Sequence, residues 1–490
     1  MRIQRVFYSV GNLTLVMGAF MLIPLCCSLA YGENDWRAFA LSVPIAWLIG
    51  GLLLLAGYPR RKQALRQRES YLFVSLSWMI AAFLGAFPFI FSGALTDFSS
   101  AFFESMSGFT TTGATVITDV ESLPHGILLW RSLSHWLGGA GIVALFGMLI
   151  QKSSGSAGEI SAFKAEYSGA ALSERIMPRI RDHIRAICLV YLGLTFVFTV
   201  ALYFAGMGLF DAVNHGFTVV ATGGFSTKNT SIAWFHSNAV EWVCTLGMLA
   251  SGVNLTLYAM LFRRHRRKRV LQTDELKYYI LLCLIASLWI GWELYRADLS
   301  LAGGFVDSLR AASFQTVSLL TTTGLCSVNY DLWPQGGRIV LFLLMFCGAC
   351  SGSTTASIKI SQWMILFRTA LAELKTMFHP QLFRQVFFNG KLLSDRRINN
   401  TLVFFFLYFF TLFVGVVFLS LAGMSLENSF SGAVAILGNV GPAVGSIGPA
   451  GSYAGVPALG KWIFSFLMLA GRLEILTLLV LLVPGIWRRS

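Results

Sequence analysis

Hydrophobic residues run in long, nearly unbroken stretches along the whole chain, and shorter polar segments separate them. A helix that crosses a bilayer needs about 20 consecutive apolar residues. We therefore predict membrane spans at 8–30, 38–58, 71–92, 125–150, 186–206, 238–262, 278–296, 336–375, 400–422 and 459–487. The eighth stretch is too long for one simple helix and contains small polar residues, which predicts a broken span. The first stretch lacks a small-residue cleavage site, so we interpret it as a span rather than a signal peptide.

The composition supports the same interpretation. Of the 490 residues, 56% are hydrophobic and only 12% are charged, whereas an average soluble protein carries about 25% charged residues. The mean hydropathy is +0.68. These values exclude a soluble enzyme, a secreted disulfide scaffold and a disordered chain, and outer-membrane barrels are excluded because they alternate apolar and polar residues. We predict an all-α polytopic membrane protein.

Lys and Arg residues give a net charge of +14 and concentrate in every second connection between the predicted spans. The positive-inside rule places those connections in the cytoplasm, together with both termini. The basic run RRHRRKR at 263–269 directly follows a predicted span, so it predicts contact with anionic lipid and not with nucleic acid.

The connections on the opposite side share one pattern, a short semi-polar helix followed by a glycine-bearing turn. The four copies are DFSSAFFESMSGFTTTGATV (97–116), LFDAVNHGFTVVATGGFST (209–227), FVDSLRAASFQTVSLLTTTGLCS (305–327) and LENSFSGAVAILGNVGPAVG (426–445). Aligned on one glycine, they match at Gly113, Gly223, Gly324 and Gly438. Because each copy lies between two predicted spans, the chain contains a four-fold internal repeat of span, pore helix and span.

This repeat predicts a cation pathway. The C-terminal end of a helix carries about half a negative charge, and rings of backbone carbonyls replace the hydration shell of K⁺ in potassium filters. Four such ends around one central pore would attract a cation, and K⁺ suits carbonyl dipoles best. The predicted filter residues are Thr111, Thr112, Gly113, Ala221, Thr222, Gly223, Thr322, Thr323, Gly324, Leu437, Gly438 and Asn439. The fourth turn has no threonine before Gly438, so we expect only carbonyl contacts there and a modest preference for K⁺ over Na⁺.

At this point the sequence resembles the Trk/Ktr superfamily of potassium uptake proteins, and within it the bacterial potassium-translocating subunits. The four turns carry the resemblance, together with HWLGGAGI (135–142), GACSGSTTASIK (348–359) and LAGRLEILT (469–477). The resemblance implies four pseudo-symmetric repeats around one central pore, two extra N-terminal spans and a location in the bacterial inner membrane. It also implies a homodimer and a cytoplasmic, nucleotide-binding regulatory subunit of the TrkA type.

The resemblance further implies a gate below the filter, formed by the intramembrane loop 348–359 and the last span. The candidate gate residues are Gly348, Ser351, Gly352, Ser353, Thr354, Lys359 and Arg472. For the loop, the alternative is a kinked helix whose Ser and Thr side chains bond their own backbone. Arg472 is predicted to be an electrostatic barrier on the pore side, with a structural salt bridge as the alternative. Lys359 either takes part in gating or extends to the cytoplasmic interface.

The predicted organisation is two N-terminal spans (1–68) and four repeats (69–182, 183–274, 275–395 and 396–490). The favoured function is K⁺ uptake as the conducting subunit of a Trk-type system. The alternatives are a sodium-coupled Ktr-type potassium transporter and a secondary carrier of another class, which would bind solute between inverted halves. Nucleotide-binding loops and catalytic triads are absent from the sequence, so we predict no enzyme and no organic cofactor.

Several residues receive a structural interpretation at this stage. Cys347 and Cys350 lack a second ligand pair for a metal. His135 and the adjacent Trp136 are predicted to be an interfacial anchor. Acidic residues near the outer mouth are predicted to enrich cations there or simply to solvate loops; they are Asp97, Asp119, Glu121, Asp211, Asp307 and Asp331.

Overall fold

A computed structural model describes residues 3–60, 65–141, 180–261, 273–297, 304–379, 385–484 and 487. The described chain is mainly helical. The helices are α1 (Ile3–Phe20), α2 (Leu22–Tyr31), α3 (Trp36–Gly57), α4 (Gln67–Phe91), α5 (Phe98–Phe109), α6 (His125–Trp136), α7 (Ile180–Phe204), α8 (Leu209–Ala221), α9 (Asn238–Ser251), α10 (Leu255–Leu261), α11 (Asp274–Arg296), α12 (Phe305–Leu320), α13 (Gln335–Leu344), α14 (Ile360–Phe378), α15 (Asp395–Leu421), α16 (Leu426–Leu437), α17 (Ala458–Arg472) and α18 (Leu476–Leu479).

Four two-residue strands complete the secondary structure. The first two, β1 (Cys347–Gly348) and β2 (Ile358–Lys359), pair in parallel, and the other two, β3 (Phe387–Phe388) and β4 (Lys391–Leu392), pair in antiparallel fashion. Short 3₁₀ turns lie at Tyr58–Arg60, Ser231–Phe235, Tyr330–Leu332, Gly445–Ile447, Tyr453–Gly455 and Val480–Leu482.

Among the described residues, six helical segments are long and apolar enough to cross a membrane. They are Ile3–Tyr31, Trp36–Gly57, Arg68–Phe91, Arg185–Phe204, Asp274–Arg296 and Asp395–Leu421. Two further pairs, α9 with α10 and α17 with α18, reach spanning length only as bent pairs. Residues 142–150 of the predicted span 125–150, the basic run 263–269 and the residues after 487 lie outside the described residues.

The second long helix is interrupted in each of the four repeats. In the first repeat α6 leads into a π-turn (Leu137–Gly141) in which Gly139 is not helical. In the third, α13 and α14 are separated by the loop that carries β1 and β2. In the second and fourth, the chain bends by 90° and by 107°. The predicted spans 238–262 and 459–487 each contain such a bend, at Gly252–Asn254 and at Leu473–Ile475, which apolar length alone does not show.

The four repeats pack in a closed cyclic order. The pore helix of each repeat contacts the second long helix of the preceding repeat: α8 packs on α6, α12 on α9, and α5 of the first repeat on α17 of the fourth. The remaining contact, between α13 and α16, includes the rings of Phe342 and Phe430 with centroids 6.0 Å apart. This order places the ends of the four pore helices around a common axis. The domain boundaries proposed from the sequence remain a prediction.

Candidate functional site

The four pore helices end in the same way. A residue with positive φ closes each of them: Thr222 (53°) directly follows α8, and Thr111 (54°), Thr322 (52°) and Asn439 (51°) lie two residues past the ends of α5, α12 and α16. In the first repeat the N–H of Thr111 donates to the carbonyl of Gly108 at 3.1 Å, and the N–H of Thr112 donates to that of Ser107 at 2.9 Å. The two equivalent hydrogen bonds are present in each of the other three repeats. Each pore helix therefore ends in a Schellman motif.

Three of these positions hold a residue that rarely adopts this conformation. Glycine and asparagine are the usual residues at a left-handed helix end, and the left-handed conformation costs a residue with a Cβ about 1–2 kcal/mol. Thr111, Thr222 and Thr322 nevertheless occupy it, with at most 1% of each side chain exposed. Backbone strain of this kind persists where the surroundings impose it and clusters at functional sites.

Two residues further along, each turn has a glycine with positive φ: Gly113 (80°), Gly224 (92°), Gly324 (75°) and Gly441 (96°). Each glycine packs against the main-chain oxygen of the next repeat. A Cβ on Gly113 would lie 2.3 Å from the oxygen of Gly223, and one on Gly224 would lie 2.3 Å from that of Thr323. A Cβ on Gly324 would lie 2.0 Å from the oxygen of Val440, and one on Gly441 would lie 2.4 Å from the oxygen of Thr112. The four turns thus form a closed ring too tight for any side chain at these glycines.

This geometry corrects the register predicted from the sequence. Ala221 and Leu437 are the last residues of α8 and α16 rather than members of the turns, and Gly438, with φ −73°, closes α16. Gly223 corresponds to Thr112, so Gly224 and Gly441 are the true equivalents of Gly113. Aligning the copies on the first glycine after each helix gave the error, because the second copy has two adjacent glycines and the fourth has glycines on both sides of Asn439 and Val440.

The corrected segments are Thr111–Gly113, Thr222–Gly224, Thr322–Gly324 and Asn439–Gly441. Asn439 occupies the place of threonine in the fourth repeat, and its amide donates to the hydroxyl of Thr112 at 2.8 Å and to the carbonyl of Met468 at 3.0 Å. This side chain links the fourth turn to the first. That only carbonyls contact the ion in the fourth repeat stays a prediction.

In three of the four repeats, a residue nine positions before the ring glycine supports the turn from behind. In the first three repeats it is polar: Glu104, His215 and Gln315. Glu104 accepts from the N–H of Val116 at 3.0 Å, His215 bonds the hydroxyl of Ser226 at 2.9 Å, and the Gln315 amide donates to the carbonyl of Val328 at 3.4 Å.

The fourth repeat has a glycine, Gly432, at this position, where a Cβ would lie 2.8 Å from Ile447. A tyrosine from a later segment supports this turn instead. The hydroxyl of Tyr453 donates to the carbonyl of the ring glycine Gly441 at 2.8 Å.

Glu104 also forms a fully buried ion pair behind the first turn. Its carboxylate lies 3.0 Å from the Nε of Arg131, and the two side chains are 0% and 2% exposed. Arg131 donates in addition to the carbonyl of Ser226 at 3.0 Å, and its guanidinium lies over the ring of Phe225, 4.1 Å from the centroid. Because removal of one partner leaves a buried charge unpaired, this pair fixes the first turn against the second.

His135 lies between the first two turns, and its predicted role as an interfacial anchor is wrong. Its side chain is 0% exposed. Nδ1 bonds the carbonyl of Gly108 at 2.8 Å, and Nε2 accepts from the N–H of Phe225 at 3.1 Å. Since a carbonyl only accepts and a backbone N–H only donates, these bonds assign the neutral ring with the proton on Nδ1. The ring also contacts Gly223, on which a Cβ would lie 2.4 Å away.

On the outer side of the ring, a cavity of about 90 Å³ is lined by Gly113, Gly224, Gly324 and Arg131, among others. The acidic residues of this side hold loops together. Asn229 bonds Asp119 and Glu121, both at 3.0 Å, and the bond from Asn229 lowers the pKa of the Asp119 carboxyl below its ordinary value. Asp211 bonds Thr227, Asp97 caps α5 at the N–H of Ser100, Asp307 pairs with Arg310, and Asp331 accepts from the N–H of Gly445.

On the inner side, Arg472 connects the ring to the interrupted helices. One guanidinium nitrogen donates to the hydroxyl of Thr111 at 3.1 Å and to the carbonyl of Thr354 at 2.9 Å. The other donates to the carbonyls of Gly138 and Gly139 at 2.7 and 2.8 Å. A positive charge therefore lies directly against the inner face of the first turn.

The intramembrane loop packs against two other turns. The hydroxyl of Thr222 donates to that of Thr354 at 3.3 Å, and the N–H of Ala356 donates to the hydroxyl of Thr322 at 3.0 Å. The hydroxyls of the strained threonines thus contact the loop or Arg472. The same threonines that have a left-handed backbone form hydrogen bonds through their side chains to the elements beneath the turns.

The loop is anchored to its neighbours by main-chain bonds. The carboxylate of Glu275 accepts from the N–H groups of Ser351 and Ser361 at 2.7 and 3.3 Å. At the bend between α9 and α10, the N–H of Cys350 donates to the carbonyl of Gly252 at 3.0 Å, and the carbonyl of Gly352 accepts from Leu255 at 3.1 Å. The intramembrane loop therefore packs against the bend between α9 and α10 in the second repeat.

Most of the predicted gate residues meet at one small cavity of about 40 Å³. Gly352, Ser353, Lys359 and Arg472 line it, together with Glu474. Lys359 is 6% exposed and bonds Thr355 through its ammonium group, so it does not extend to the cytoplasmic interface. Thr354 contacts Arg472, Ser351 bonds Ser361 at 2.5 Å, and Gly348 lies in β1, away from this cavity.

These observations define a class of protein: a multi-pass helical membrane protein whose four re-entrant turns surround one axis, with an arginine and a loop beneath them. Comparisons with known proteins agree. The model of the TrkH family, a cation transport protein, matches residues 38–488. The chain is 34% identical to the Trk system potassium uptake protein TrkH of Escherichia coli (strain K12) and 33% identical to that of Salmonella typhimurium, each over 100% of both chains.

The crystal structure of the potassium transporter TrkH from Vibrio parahaemolyticus has the same fold, with a TM-score of 0.88 and 31% identity over 100% of both chains. The chain belongs to the TrkH family. The predicted resemblance and the predicted fold class are thereby confirmed, and the chain is a transport protein rather than an enzyme.

The corrected register makes a prediction that separates Gly441 from Gly438. Gly441→Ala places a Cβ 2.4 Å from the oxygen of Thr112 at φ 96°, whereas Gly438 has an ordinary helical φ and 2.9 Å to the nearest oxygen. The strain of such a position costs about 1–3 kcal/mol, and each 1.4 kcal/mol is about tenfold in rate. We expect Gly441→Ala to reduce cation flux in liposomes at least about tenfold and Gly438→Ala to have a much smaller effect. The reverse order would contradict the register.

His135 provides a second prediction. His135→Phe leaves the carbonyl of Gly108 and the N–H of Phe225 buried without these bonds, at a cost of about 1–3 kcal/mol each. We expect the discrimination between K⁺ and Na⁺, measured as the flux ratio in liposomes, to fall while the protein level stays normal. The matched control is Trp136→Phe. It removes the 3.1 Å hydrogen bond from the indole of Trp136 to the hydroxyl of Thr195, which is not part of the four turns, so the flux ratio should not change. An unchanged ratio in His135→Phe would exclude a positioning role.

Proposed function

We propose that the chain conducts K⁺ across the bacterial inner membrane as the ion-translocating subunit of a Trk-type uptake system. The observation that carries this proposal is the closed ring of four glycine-to-carbonyl contacts at Gly113, Gly224, Gly324 and Gly441. Relatives that match the whole chain are named Trk system potassium uptake proteins. Here K⁺ is the transported substrate.

The selectivity filter in this proposal consists of the main-chain oxygens of the four corrected segments. Four helix C-termini meet at the ring, and each contributes about half a negative charge. Tight packing at the glycines holds the oxygens at fixed positions, which favours a large, weakly hydrated cation that carbonyl dipoles coordinate well. The side-chain hydroxyls of Thr111, Thr222 and Thr322 bond Arg472 or the intramembrane loop. Backbone oxygens are therefore left as the principal ligands of the ion.

The gate in this proposal is formed by Arg472 and the loop 348–359. A cation that leaves the ring inward meets a guanidinium that bonds Thr111 and Thr354 at the same time. Near a protein surface two unit charges 4 Å apart interact by about 4 kcal/mol, so a fixed arginine here opposes passage. We infer that the described arrangement is a closed one and that opening moves the loop and Arg472 together.

The alternatives from the sequence analysis are less well supported. A secondary carrier with inverted halves would bind solute at one site between two related domains, whereas the pore helices here follow one another in a four-step cyclic order. Coupling to Na⁺, as in a Ktr-type transporter, has less support because the relatives that match the whole chain carry the name of the Trk system.

The remaining parts of the proposal concern the assembly. The chain forms a homodimer in the bilayer, keeps both termini in the cytoplasm and binds a nucleotide-binding regulatory subunit of the TrkA type there. The family resemblance and the distribution of Lys and Arg support these statements.

Ion flux through the purified protein in liposomes tests the proposed function. We expect K⁺ and Rb⁺ to permeate and Na⁺ to permeate less, because carbonyl rings favour the larger ions. Protein-free liposomes and the Gly441→Ala variant serve as controls. Equal flux of the three ions, or flux no greater than in empty liposomes, would contradict the proposal.

The gate makes its own prediction. Arg472→Ala removes the positive charge below the ring and should raise K⁺ flux about tenfold or more, the effect of lowering a barrier by 1.4 kcal/mol. Arg472→Lys keeps the charge and should stay close to wild type in this assay. Unchanged or reduced flux in Arg472→Ala, at a normal protein level, would argue against the barrier.

A further inference from the structure

A large apolar groove lies beside the gate, outside the ion pathway. Its volume is about 710 Å³, and it is bounded by α11, α13, α14 and α15. This volume is within the usual range of ligand pockets, about 300–1,000 Å³. The side chains at its rim face outward, with Leu343 57%, Phe367 61% and Tyr278 48% exposed.

The exposed apolar rim of the groove, between helices of spanning length, indicates that it opens toward the hydrocarbon of the bilayer. Two of the helices that bound it, α11 and α15, are among those long and apolar enough to cross a membrane. Its lining is nearly all apolar, and its polar end holds Arg368, which bonds Asp274 at the start of α11 at 3.1 Å. A groove that is polar only at a helix end, where headgroups lie, has the chemistry of a phospholipid with its acyl chain inside.

A second copy of the chain is the less suitable occupant. Helices that associate within a membrane use small residues at their contacts, because lipid tails provide no hydrophobic driving force. The described lining of this groove consists of large side chains, with Cys347 as its smallest member and without glycine, alanine or serine.

The groove also contacts both ends of the gating loop. Cys347 begins β1, Ile360 begins α14, and both residues line the groove. The two strands that close the loop pair directly behind them, Cys347 with Ile358 and Gly348 with Lys359. An occupant of the groove therefore packs against the loop where it leaves and re-enters the helices.

We propose that this groove binds an acyl chain of a membrane phospholipid and that its occupancy stabilises the closed position of the loop. A ligand shifts an equilibrium toward the conformation it binds better, and the groove is formed here with the loop held against Arg472 and the ring. The regulatory part rests on the proposed function. The binding part does not.

The binding part is tested with the full chain in liposomes that contain phosphatidylcholine with a diazirine at the end of one acyl chain. After illumination, digestion and mass spectrometry, we expect lipid adducts on α13 and α14. Leu343→Trp fills the groove and should reduce them at least about fivefold, a typical size for a coupled effect. The matched control Ile339→Trp lies on the same helix, is 59% exposed and does not line the groove, so it should leave the adducts unchanged.

Equal adduct yields in wild type and Leu343→Trp would overturn the binding part. So would a chemical cross-link between the α13 helices of two copies without a lipid adduct, because a second copy would then cover the groove. Leu343 is exposed, so the tryptophan does not disturb the core.

The regulatory part is tested by K⁺ flux in bilayers of phosphatidylcholine with either straight palmitoyl-oleoyl chains or bulky branched phytanoyl chains. The branched chains fit the groove less well, so we expect wild type and Ile339→Trp to conduct about fivefold more in them. Leu343→Trp, whose indole fills the groove, should conduct equally little in both bilayers. Lipid adducts without any change of flux would overturn regulation by the groove. A wild type that does not conduct K⁺ would refute the proposed function instead, and the adduct experiment would still decide the binding site.

Discussion

The close packing of each ring glycine on the main-chain oxygen of the next repeat is the contact on which the rest of the structure depends. It leaves no room for a Cβ at Gly113, Gly224, Gly324 or Gly441, and it requires the preceding helices to end abruptly in a left-handed residue. The polar side chains behind the ring, among them Glu104, Arg131 and His135, then hold turns that would otherwise relax. Rigid placement of main-chain oxygens is what a site for a dehydrated cation requires.

The same constraint explains the inner half of the molecule. The second long helix of each repeat is interrupted beneath the ring, and irregular backbone at membrane depth is tolerated only where protein or a water-filled cavity covers it. The interruptions cover one another: Arg472 caps the carbonyls of Gly138 and Gly139, and Gly252 receives the N–H of Cys350. One arginine thus stabilises carbonyls that the interruption leaves unpaired and places a positive charge against the first turn, so its structural role and its proposed gating role depend on the same contacts.

Much of this architecture follows from the sequence alone, because apolar length and a repeated turn both leave strong local signals. The spans, the four copies and the break at 348–359 were predictable in this way. The register of the second and fourth turns was not, since it depends on which glycine meets the neighbouring repeat, a contact between residues about 100 or more positions apart. The bends at Gly252–Asn254 and Leu473–Ile475 lie within apolar stretches. The role of His135 is not apparent in the sequence because a lone histidine beside tryptophan looks like an anchor. The polar residues behind the turns do leave a signal, the nine-residue spacing of Glu104, His215 and Gln315 before the ring glycines.

We expect main-chain oxygens of the four segments ending in Gly113, Gly224, Gly324 and Gly441 to coordinate the transported ion. Anomalous diffraction from crystals of the protein soaked in Tl⁺ or Rb⁺ would locate that ion. Ion peaks are expected on the axis of the ring, within coordination distance of oxygens from all four segments, and they should be lost when Na⁺ replaces the heavy ion. Peaks located among side chains elsewhere, with an empty ring, would contradict this coordination.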